Sequence, residues 1–313
     1  MVTGLDIGYG FTKMVSLDVS EVKKTIFPSY VSKYIPNNGR GGPFGCDYEV
    51  IKVNGKDYIV GVDIESSTRI DLADTDNYLA IIAYALSRIE SVRKTLILGL
   101  PPQAYELERI DSLTAKIREM DVKLASGRSL YIPPIIDYVP QGAGIFFSYL
   151  TGNGGDGQDS NVAVVDMGYQ TMDVVTFAGG RYRGELSKSY PLGAKALYSK
   201  VRDAYVKKYA AYIPEDADNI IEILLKGDAI NHLGEKRGID TKNILNDFYV
   251  NKILDILGKY VNFLEEHKIE LDKIILGGGG ISFLGNVSGA DVVPDPQFAN
   301  ARGFFEYGMK LQS

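Results

Sequence analysis

The sequence repeats itself, and this internal repeat constrains the fold more than any other feature. Residues 5–9 read LDIGY and residues 165–169 read VDMGY, at an offset of 166 minus 6, or 160 residues. Residues 96–99 (LILG) are echoed by residues 274–277 (IILG), again an apolar run that ends on glycine. A third echo, at a helical spacing, pairs Ala143, Phe146, Phe147 and Tyr149 with Ala301, Phe304, Phe305 and Tyr307. Because the echoes occur in the same order, they predict a duplicated structural unit.

Strand and helix patterns alternate along the chain, which indicates an α/β protein with helix-covered sheets. Strands are predicted at residues 2–7, 13–17, 22–27, 95–98, 135–139, 162–166, 172–177 and 273–276. Helices are predicted at residues 77–90, 103–119, 142–150, 194–211, 219–225, 242–267 and 298–311. Residues 37–45 and 151–160 are polar and glycine-rich, so we expect surface loops there. The 313 residues are near the upper limit for one core, so two domains are expected.

The predicted helix at residues 242–267 has the clearest apolar stripe. Its members are Ile244, Phe248, Leu254, Leu257, Val261 and Leu264, at steps of mostly three and four residues. Such spacing places these side chains on one face, which we expect to pack against a core.

Composition excludes several classes of protein. The net charge of −6 gives no basic footprint for a nucleic-acid backbone, so direct nucleic-acid binding is not expected. The single cysteine, Cys46, cannot form an internal disulfide, and with His232 and His267 it cannot form a clustered zinc site. We expect surface or packing roles for all three. No apolar run reaches the ~20 residues that span a bilayer. These features predict a cytoplasmic protein that is neither secreted nor integral to a membrane.

The first repeated turn has the composition of a phosphate-binding loop. A strand ends near Asp6, and glycines follow that let the main chain curl around an oxyanion. Lys13 adds a compact positive charge. The candidate ligand-binding residues of this turn are Gly8, Tyr9, Gly10, Thr12 and Lys13.

The second repeated turn follows Asp166 and ends with a hydroxyl. Its candidate ligand-binding residues are Gly168, Tyr169, Gln170 and Thr171. Two such turns facing each other would hold a polyphosphate from both sides, and Asp6 and Asp166 would hold a hydrated Mg²⁺. The alternative is that the two turns only connect β-hairpins.

Residues 277–280 are four consecutive glycines after a buried strand. Each glycine costs roughly 0.5–1 kcal/mol relative to alanine, so the run needs a reason. Close approach of the main chain to a nucleotide is one reason, and a flexible connector is the alternative. The chain contains neither a P-loop nor a dinucleotide-binding glycine motif.

Gln141 lies where a predicted strand becomes a helix. A neutral amide there could orient a water molecule toward a terminal phosphate, as a glutamine does in GTPases. The alternative is a polar residue that only starts the helix.

These motifs, in this order, resemble the actin superfamily. The resemblance covers nearly the whole chain: a first phosphate loop at 6–13, a connecting helix at 140–150, a second phosphate loop at 166–173, an adenosine loop at 276–281 and a second connecting helix at 297–307. The residues of these motifs are similar to those of short prokaryotic and archaeal actin-like proteins, including ParM-type plasmid-segregation proteins and the Thermoplasma type. Gln141 departs from ParM-type proteins, which tend to carry an acidic residue there.

The resemblance implies a duplicated actin-like (ribonuclease H-like) ATPase fold, with two domains around a nucleotide cleft. Domain I would comprise residues 1–142 and about 299–313, with an outer subdomain at about 28–75. Domain II would comprise residues 143–298, with an outer subdomain at about 185–265.

By the same resemblance, Asp6, Gln141 and Asp166 would surround hydrated Mg²⁺ and the hydrolytic water, and Lys13 would reach the phosphates of ATP or ADP. Adenosine and its α-phosphate would contact Gly277, Gly278, Gly279, Gly280 and Ile281. Gly193 would line the nucleotide, and Glu222 and Lys226 are the candidates for the adenine pocket.

The resemblance implies a filament-forming ATPase whose hydrolysis of ATP destabilises the polymer. Its partners would be further copies of itself and, in a plasmid-segregation role, a DNA-bound adaptor, with no direct contact to nucleic acid or membrane. The first alternative is a small-molecule kinase of the same fold. A chaperone-type ATPase and a membrane-tethered adaptor are expected less, because the sequence given stops soon after the last predicted helix.

Overall fold

The computed structural model describes residues 2–18, 21–33, 48–64, 67–71, 74–89, 95–155, 157–214, 217–283 and 287–312. Cys46 and the predicted loop at 37–45 lie outside the described residues. The chain divides into two compact units, which we call unit 1 (Met1–Asp156 with Phe298–Ser313) and unit 2 (Gly157–Gln297).

The strands of the described residues are β1 (Val2–Ile7), β2 (Phe11–Asp18), β3 (Glu21–Pro28), β4 (Tyr30–Lys33), β5 (Val50–Val53), β6 (Lys56–Val60), β7 (Thr68–Arg69), β8 (Thr95–Leu100), β9 (Val122–Leu124), β10 (Ile135–Pro140), β11 (Val162–Met167), β12 (Met172–Ala178), β13 (Arg181–Tyr182), β14 (Lys188–Tyr190), β15 (Ile230–His232), β16 (Glu235–Arg237), β17 (Lys273–Gly277) and β18 (Asp291–Val292). The helices are α1 (Thr75–Ser87), α2 (Leu107–Arg118), α3 (Ala143–Gly152), α4 (Ala194–Tyr209), α5 (Asp218–Leu225), α6 (Lys242–Asn246), α7 (Leu254–Glu266) and α8 (Ala299–Lys310).

Each unit contains a mixed sheet, and the two sheets share one strand arrangement. In unit 1 the order is β10-β8-β1-β2-β3, with β1 antiparallel to β2 and parallel to β8. In unit 2 the order is β13-β12-β11-β17-β18, with β11 antiparallel to β12 and parallel to β17. Thus β1 corresponds to β11 and β8 corresponds to β17, as the sequence echoes predict. The α/β fold class and its duplication are confirmed.

The central strands are covered on both faces. Every residue of β1, β8 and β11 is buried, which explains why these strands read as continuous apolar runs. Unit 1 adds a second, antiparallel sheet of order β7-β4-β6-β5-β9. Its strands are short, and the sequence analysis did not predict them.

Glycines allow α3, α8 and β1 to approach closely within unit 1. A Cβ built on Gly303 of α8 would lie 1.7 Å from the carbonyl oxygen of Gly144 in α3. A Cβ built on Gly4 of β1 would lie 2.2 Å from the carbonyl oxygen of Ala301. The backbones of these elements therefore touch where an ordinary side chain would separate them.

The predicted helix at 242–267 is interrupted by a π-helical segment, Asp247–Ile253, between α6 and α7. Phe248, Leu257 and Leu264 are buried as predicted, but Leu254 is 47% exposed, and the buried residue is Ile253. The π turn adds one residue to a helical turn, so the next buried position after Phe248 lies five residues further on, at Ile253. The predicted stripe was therefore wrong at Leu254, and Tyr260 is more deeply buried than Val261.

The start of α2 also differs from its prediction. Pro101 and Pro102 lead a short 3₁₀ turn, Pro102–Ala104, and the helix begins only at Leu107, although the sequence predicted residue 103. Within the described residues, no helix combines the length and the apolar character needed to cross a membrane.

Candidate functional site

The turn between β1 and β2 is a tight hairpin closed by its own backbone. The amide of Gly8 donates to the carbonyl oxygen of Phe11 at 3.2 Å. A Cβ on Gly8 would lie 3.1 Å from that oxygen and 3.3 Å from Nζ of Lys13, so glycine keeps the inner face of the turn open. The local structure is thus a hairpin, and it also leaves room beside Lys13.

The Asp6 carboxylate is the centre of a polar cluster in unit 1. Asp6 is 4% exposed and pairs with Lys13 directly across the two strands, with Nζ 3.2 Å from Oδ2. The Nε2 of Gln141 donates to Oδ1 of Asp6 at 2.8 Å and to the carbonyl oxygen of Ile7 at 3.3 Å. The structure therefore brings together three of the residues that the sequence analysis selected in this half, and charge-assisted hydrogen bonds hold the buried carboxylate.

Gln141 is positioned by the junction between β10 and α3. The main-chain amide of Gln141 donates to the carbonyl oxygen of Leu100 at 2.7 Å. The next residue, Gly142, has a φ of 85°, which glycine adopts readily, and its amide donates to Oδ1 of Asn300 at 2.9 Å. Asn300 lies in α8 and is buried. Sequence reasoning did not assign it a role, because 158 residues separate it from its partner.

Thr12 does not present its side chain to the inner face of the turn. The side chain is fully buried, and its Oγ1 lies 2.8 Å from Oγ of Ser29. Because Thr12 and Lys13 are adjacent on a strand, they point to opposite faces. Tyr9 and Gly10 remain in the turn, and the carbonyl oxygen of Gly10 accepts from the amide of Ser29 at 3.0 Å.

The turn between β11 and β12 repeats this geometry in unit 2. The amide of Gly168 donates to the carbonyl oxygen of Thr171 at 2.9 Å. Gln170, beside it, is an exposed residue of the same turn. The backbone equivalence of the two turns follows from the sequence repeat.

The carboxylates of the two turns have different neighbours. Asp166 pairs across the strands with Asp173, in the place where Asp6 pairs with Lys13. Both aspartates are 8% exposed. Burial raises the pKa of Asp173, although hydrogen bonds from the hydroxyls of Ser189 and Thr171 oppose the rise. Like charges opposite each other on a sheet are destabilising, so a cation beside Asp166 would be favourable.

Gly193 supports the second turn. A Cβ on Gly193 would lie 2.4 Å from the carbonyl oxygen of Tyr169, so a larger residue would displace the loop. The next two amides, at the start of α4, donate to this loop: Ala194 to Gly168 at 3.0 Å and Lys195 to Tyr169 at 2.8 Å. The start of α4 therefore fixes the turn in place.

Aromatic residues connect the second turn to α5. The hydroxyl of Tyr169 donates to Asp218 at 2.6 Å, and that of Tyr198 donates to Glu222 at 2.8 Å. The rings of Tyr169 and Tyr198 meet edge to face at 6.2 Å. Burial, followed by the charge of Glu222, raises the pKa of Tyr198. Glu222 thus lies in one network with the second turn.

Lys226 lies apart from that network. It is exposed at the end of α5, where its amide donates to the carbonyl oxygen of Glu222 at 3.1 Å. Among the described residues, its side chain makes no hydrogen bond or ion pair.

The glycine run packs against the end of β11. Gly278 has a φ of 88°, and a Cβ there would lie 2.4 Å from Oδ1 of Asp166. A Cβ on Gly280 would lie 2.6 Å from Cγ of Met167. The amide of Gly278 donates to the carbonyl oxygen of Pro296 at 2.9 Å. Gly277 ends β17, and a short 3₁₀ turn, Gly279–Phe283, contains Ile281. These contacts pack the glycine run against its own unit, and its approach to a nucleotide stays a prediction.

Comparison with known proteins identifies the architecture. Residues 4–144 match the family model described as the N-terminal domain of actin-like proteins. The structure of Ta0583, an archaeal actin homologue in complex with ADP, is similar with a TM-score of 0.79 and 22% identity, over 99% of each chain. The chain has an actin-like fold. The actin-like fold that the sequence motifs imply is therefore confirmed.

Other structures of this actin-like fold are ParM proteins. A ParM from a 15-stranded Clostridium botulinum filament matches with a TM-score of 0.74 and 20% identity, over 99% of each chain. A Bacillus thuringiensis ParM with AMPPNP matches with a TM-score of 0.65 and 14% identity, again over 99% of each chain. No curated protein sequence matches the chain.

The donor chemistry of each turn, taken by itself, fits the coordination of hydrated magnesium. Within the described residues, no cluster of three or more His, Cys, Asp or Glu side chains forms a metal cage. Mg²⁺ does not need such a cage, because it keeps several waters and binds one or two carboxylates together with phosphate oxygens. Asp6 and Asp166, each at the end of a strand beside a glycine turn, have the donor type that such an ion uses.

Proposed function

We propose that this protein binds Mg-ATP, hydrolyses it, and assembles with further copies of itself into filaments. The observation that carries the proposal is the pair of equivalent hairpin turns, each with a buried aspartate at its base. A single turn of this kind is a common connector. Here the turn is duplicated, and Lys13 and Gln141 both contact the Asp6 carboxylate, which is the composition of a polyphosphate site.

The two turns would contribute to one nucleotide. Main-chain amides of the turns and Nζ of Lys13 would contact the phosphates. Asp6 and Asp166 would hold the hydrated magnesium ion, which supplies charge neutralisation of the phosphate oxygens. Asp173 lies directly opposite Asp166 on the neighbouring strand, and this supports a magnesium-binding role for Asp166, because a bound cation would relieve the repulsion between the two carboxylates.

Gln141 would hold the hydrolytic water. Both partners of its side-chain nitrogen, Oδ1 of Asp6 and the carbonyl oxygen of Ile7, are acceptors, so the nitrogen must face them. Its Oε1 is then left to accept a hydrogen bond from a water molecule. In this arrangement Gln141 orients the water and Asp6 fixes the orientation of Gln141.

The adenosine would lie against unit 2. The glycine run 277–280, followed by Ile281, offers main chain without side chains next to Asp166. Gly193 packs against the loop that follows Asp166. Glu222 is the candidate for the adenine pocket through its contact with Tyr198. Lys226 is a weaker candidate, because no described contact ties its side chain to this network.

Filament formation is supported by the shared fold, since one similar structure is a filament of ParM. We propose a cytoplasmic polymer with a segregation or cytoskeletal role, in which a DNA-bound adaptor, rather than the polymer itself, contacts nucleic acid. Assembly of identical subunits into an open polymer requires a heterologous contact between two different faces.

Light scattering and pelleting with Mg-ATP, Mg-ADP and no nucleotide test the proposal. Gln141→Ala is expected to lower kcat about a hundredfold while the nucleotide still binds, because it removes the water-orienting group and one hydrogen bond to Asp6 but leaves Lys13 and both carboxylates in place. Asp166→Ala is expected to abolish both magnesium-dependent binding and polymer. Asp159→Ala, an exposed aspartate of unit 2, is the matched control and should resemble wild type.

Two results would contradict the proposal. A chain that binds no nucleotide would show that the turns are only connectors. A chain that hydrolyses ATP but stays monomeric at high concentration would refute the filament, and would favour phosphoryl transfer to a small-molecule acceptor by a kinase of the same fold.

A further inference from the structure

Unit 1 contains a cavity that is separate from the hairpin turns. Its volume is about 280 Å³, and it lies between the start of α1, the end of β8 and one face of α2. A water molecule occupies ~30 Å³ and ligand pockets start near ~300 Å³, so the cavity is large enough for a small organic molecule. Its lining residues are Thr75, Tyr78, Leu100, Arg109, Ser112, Leu113 and Lys116.

The α2 side of the cavity is basic. Arg109, Ser112, Leu113 and Lys116 follow the helical spacing i, i+3, i+4, i+7, so they share one face. The described lining includes two cations and no carboxylate. Lys116 has no ion-pair or hydrogen-bond partner for its side chain in the described part of the chain. The electrostatic character of the cavity therefore favours an anion.

Tyr78 adds a polar group that the protein itself does not satisfy. The residue is 2% exposed, and its hydroxyl has no hydrogen-bond partner among the described residues. Leaving a buried polar group unpaired is unfavourable for folding. Burial raises the pKa of the Tyr78 phenol, so the hydroxyl stays protonated. The hydroxyl is closed off from the cavity, so Tyr78 contributes its ring to the cavity wall and not a hydrogen bond.

We propose that this cavity binds a small phosphate-bearing molecule. The phosphate oxygens accept from Arg109 and Lys116 at the open side, where hydroxyls of Thr75 and Ser112 also line the cavity. The ring of Tyr78, together with Leu100 and Leu113, contacts an organic body. The proposal does not depend on nucleotide binding at the hairpin turns, since none of the lining residues belongs to them.

Isothermal titration calorimetry on the full chain at constant ionic strength tests this site, with inorganic phosphate and glycerol 3-phosphate as the probes. Lys116→Gln is expected to weaken binding about tenfold, the loss for one charge-assisted hydrogen bond. Arg118→Gln is the matched control, because it removes the same charge from the same helix outside the cavity. It should leave the affinity within about twofold, as screened surface charges do.

Two further variants make the test specific. Tyr78→Phe keeps the ring that lines the cavity and should not weaken binding, while the free protein should become more resistant to urea, because a buried unpaired hydroxyl is removed. Lys13→Gln removes the cation of the first hairpin turn, where phosphate could also bind, so the binding that remains in this variant should be the part that Lys116→Gln weakens.

The outcomes separate the sources of the phosphate group. Tighter binding of glycerol 3-phosphate identifies an organic phosphate, and equal binding identifies free phosphate; both support the site. Absence of saturable binding, equal effects of Lys116→Gln and Arg118→Gln, or loss of binding in Lys13→Gln alone would overturn the proposal.

Discussion

Asp6 and Asp166 occupy the same place in two equivalent hairpins, yet they face neighbours of opposite charge. The first carboxylate has Lys13 opposite it and a glutamine amide on its other oxygen. The second faces Asp173, whose pKa is raised by burial. The duplicated turns are therefore chemically different: the first sets a lysine opposite its carboxylate, and the second sets two carboxylates opposite each other.

Single residues show where sequence reasoning works and where it ends. The distribution of Asp6 and Lys13 across a hairpin follows from strand alternation, and the same alternation places Thr12 on the buried face. The roles of Gly193 and Gly278 could not be derived in this way. Each lies against a loop reached only through tertiary packing, and no local pattern encodes that contact.

Glu306 predicts a pH dependence of stability. Its Oε1 lies 4.0 Å from Nε of Arg302, and its Oε2 is buried without a hydrogen-bond partner among the described residues. Burial raises the pKa of Glu306 above its ordinary 4.5, although a hydrogen bond from Thr151 and the charge of Arg302 oppose the rise. The folded state thus favours the protonated form, so this stabilisation is full below pH 4.5 and is lost as pH rises through the folded pKa.

Glu306→Gln should therefore gain stability relative to wild type as the pH rises from about 4 to about 7, because glutamine cannot ionise. Urea unfolding at several pH values measures the difference. Glu266→Gln, which removes an exposed carboxylate, is the control. A constant difference between Glu306→Gln and wild type across this range would contradict the prediction.

At the scale of elements, the repeat predicted the central strands and their flanking helices, because long apolar runs and helical stripes are strong local signals. The short strands β4, β5, β6 and β9 were missed, since three to five residues between turns carry little periodicity. The π segment before α7 was missed for a related reason. A helical stripe assumes a constant repeat, and one inserted residue moves burial from Leu254 to Ile253 without changing the composition.

The contact between α3 and α8 predicts unequal effects of the same substitution. Gly303→Ala should destabilise the protein by about 1–3 kcal/mol or more, because the new Cβ would overlap the Gly144 carbonyl and force the helices apart. Gly152→Ala, at the end of α3, has no atom within 4 Å of the new Cβ and should be neutral or slightly stabilising. Chemical denaturation of both variants checks this. Equal stabilities would show that the helices separate at no cost.

At the scale of the whole molecule, the two units differ in how the chain builds them. Unit 2 is one continuous segment with its own apolar core, whereas unit 1 needs both ends of the chain. We expect residues 157–297 expressed alone to fold cooperatively, with a dispersed amide spectrum. Residues 1–156 alone should aggregate or remain partly unfolded, because β1 and α3 lose the cover of α8. A folded, monomeric 1–156 fragment would refute this.

The position of α8 has a consequence for how the protein is made in the cell. A ribosome releases the chain from its first residue onward, so β1 and α3 emerge long before the helix that covers them. Unit 2 can fold while synthesis continues, but β1 and α3 must wait for α8, which follows unit 2 in the chain. During that interval the apolar strands of unit 1 are accessible to chaperones and to neighbouring nascent chains. Slow synthesis of α8 would therefore prolong the exposure of these strands.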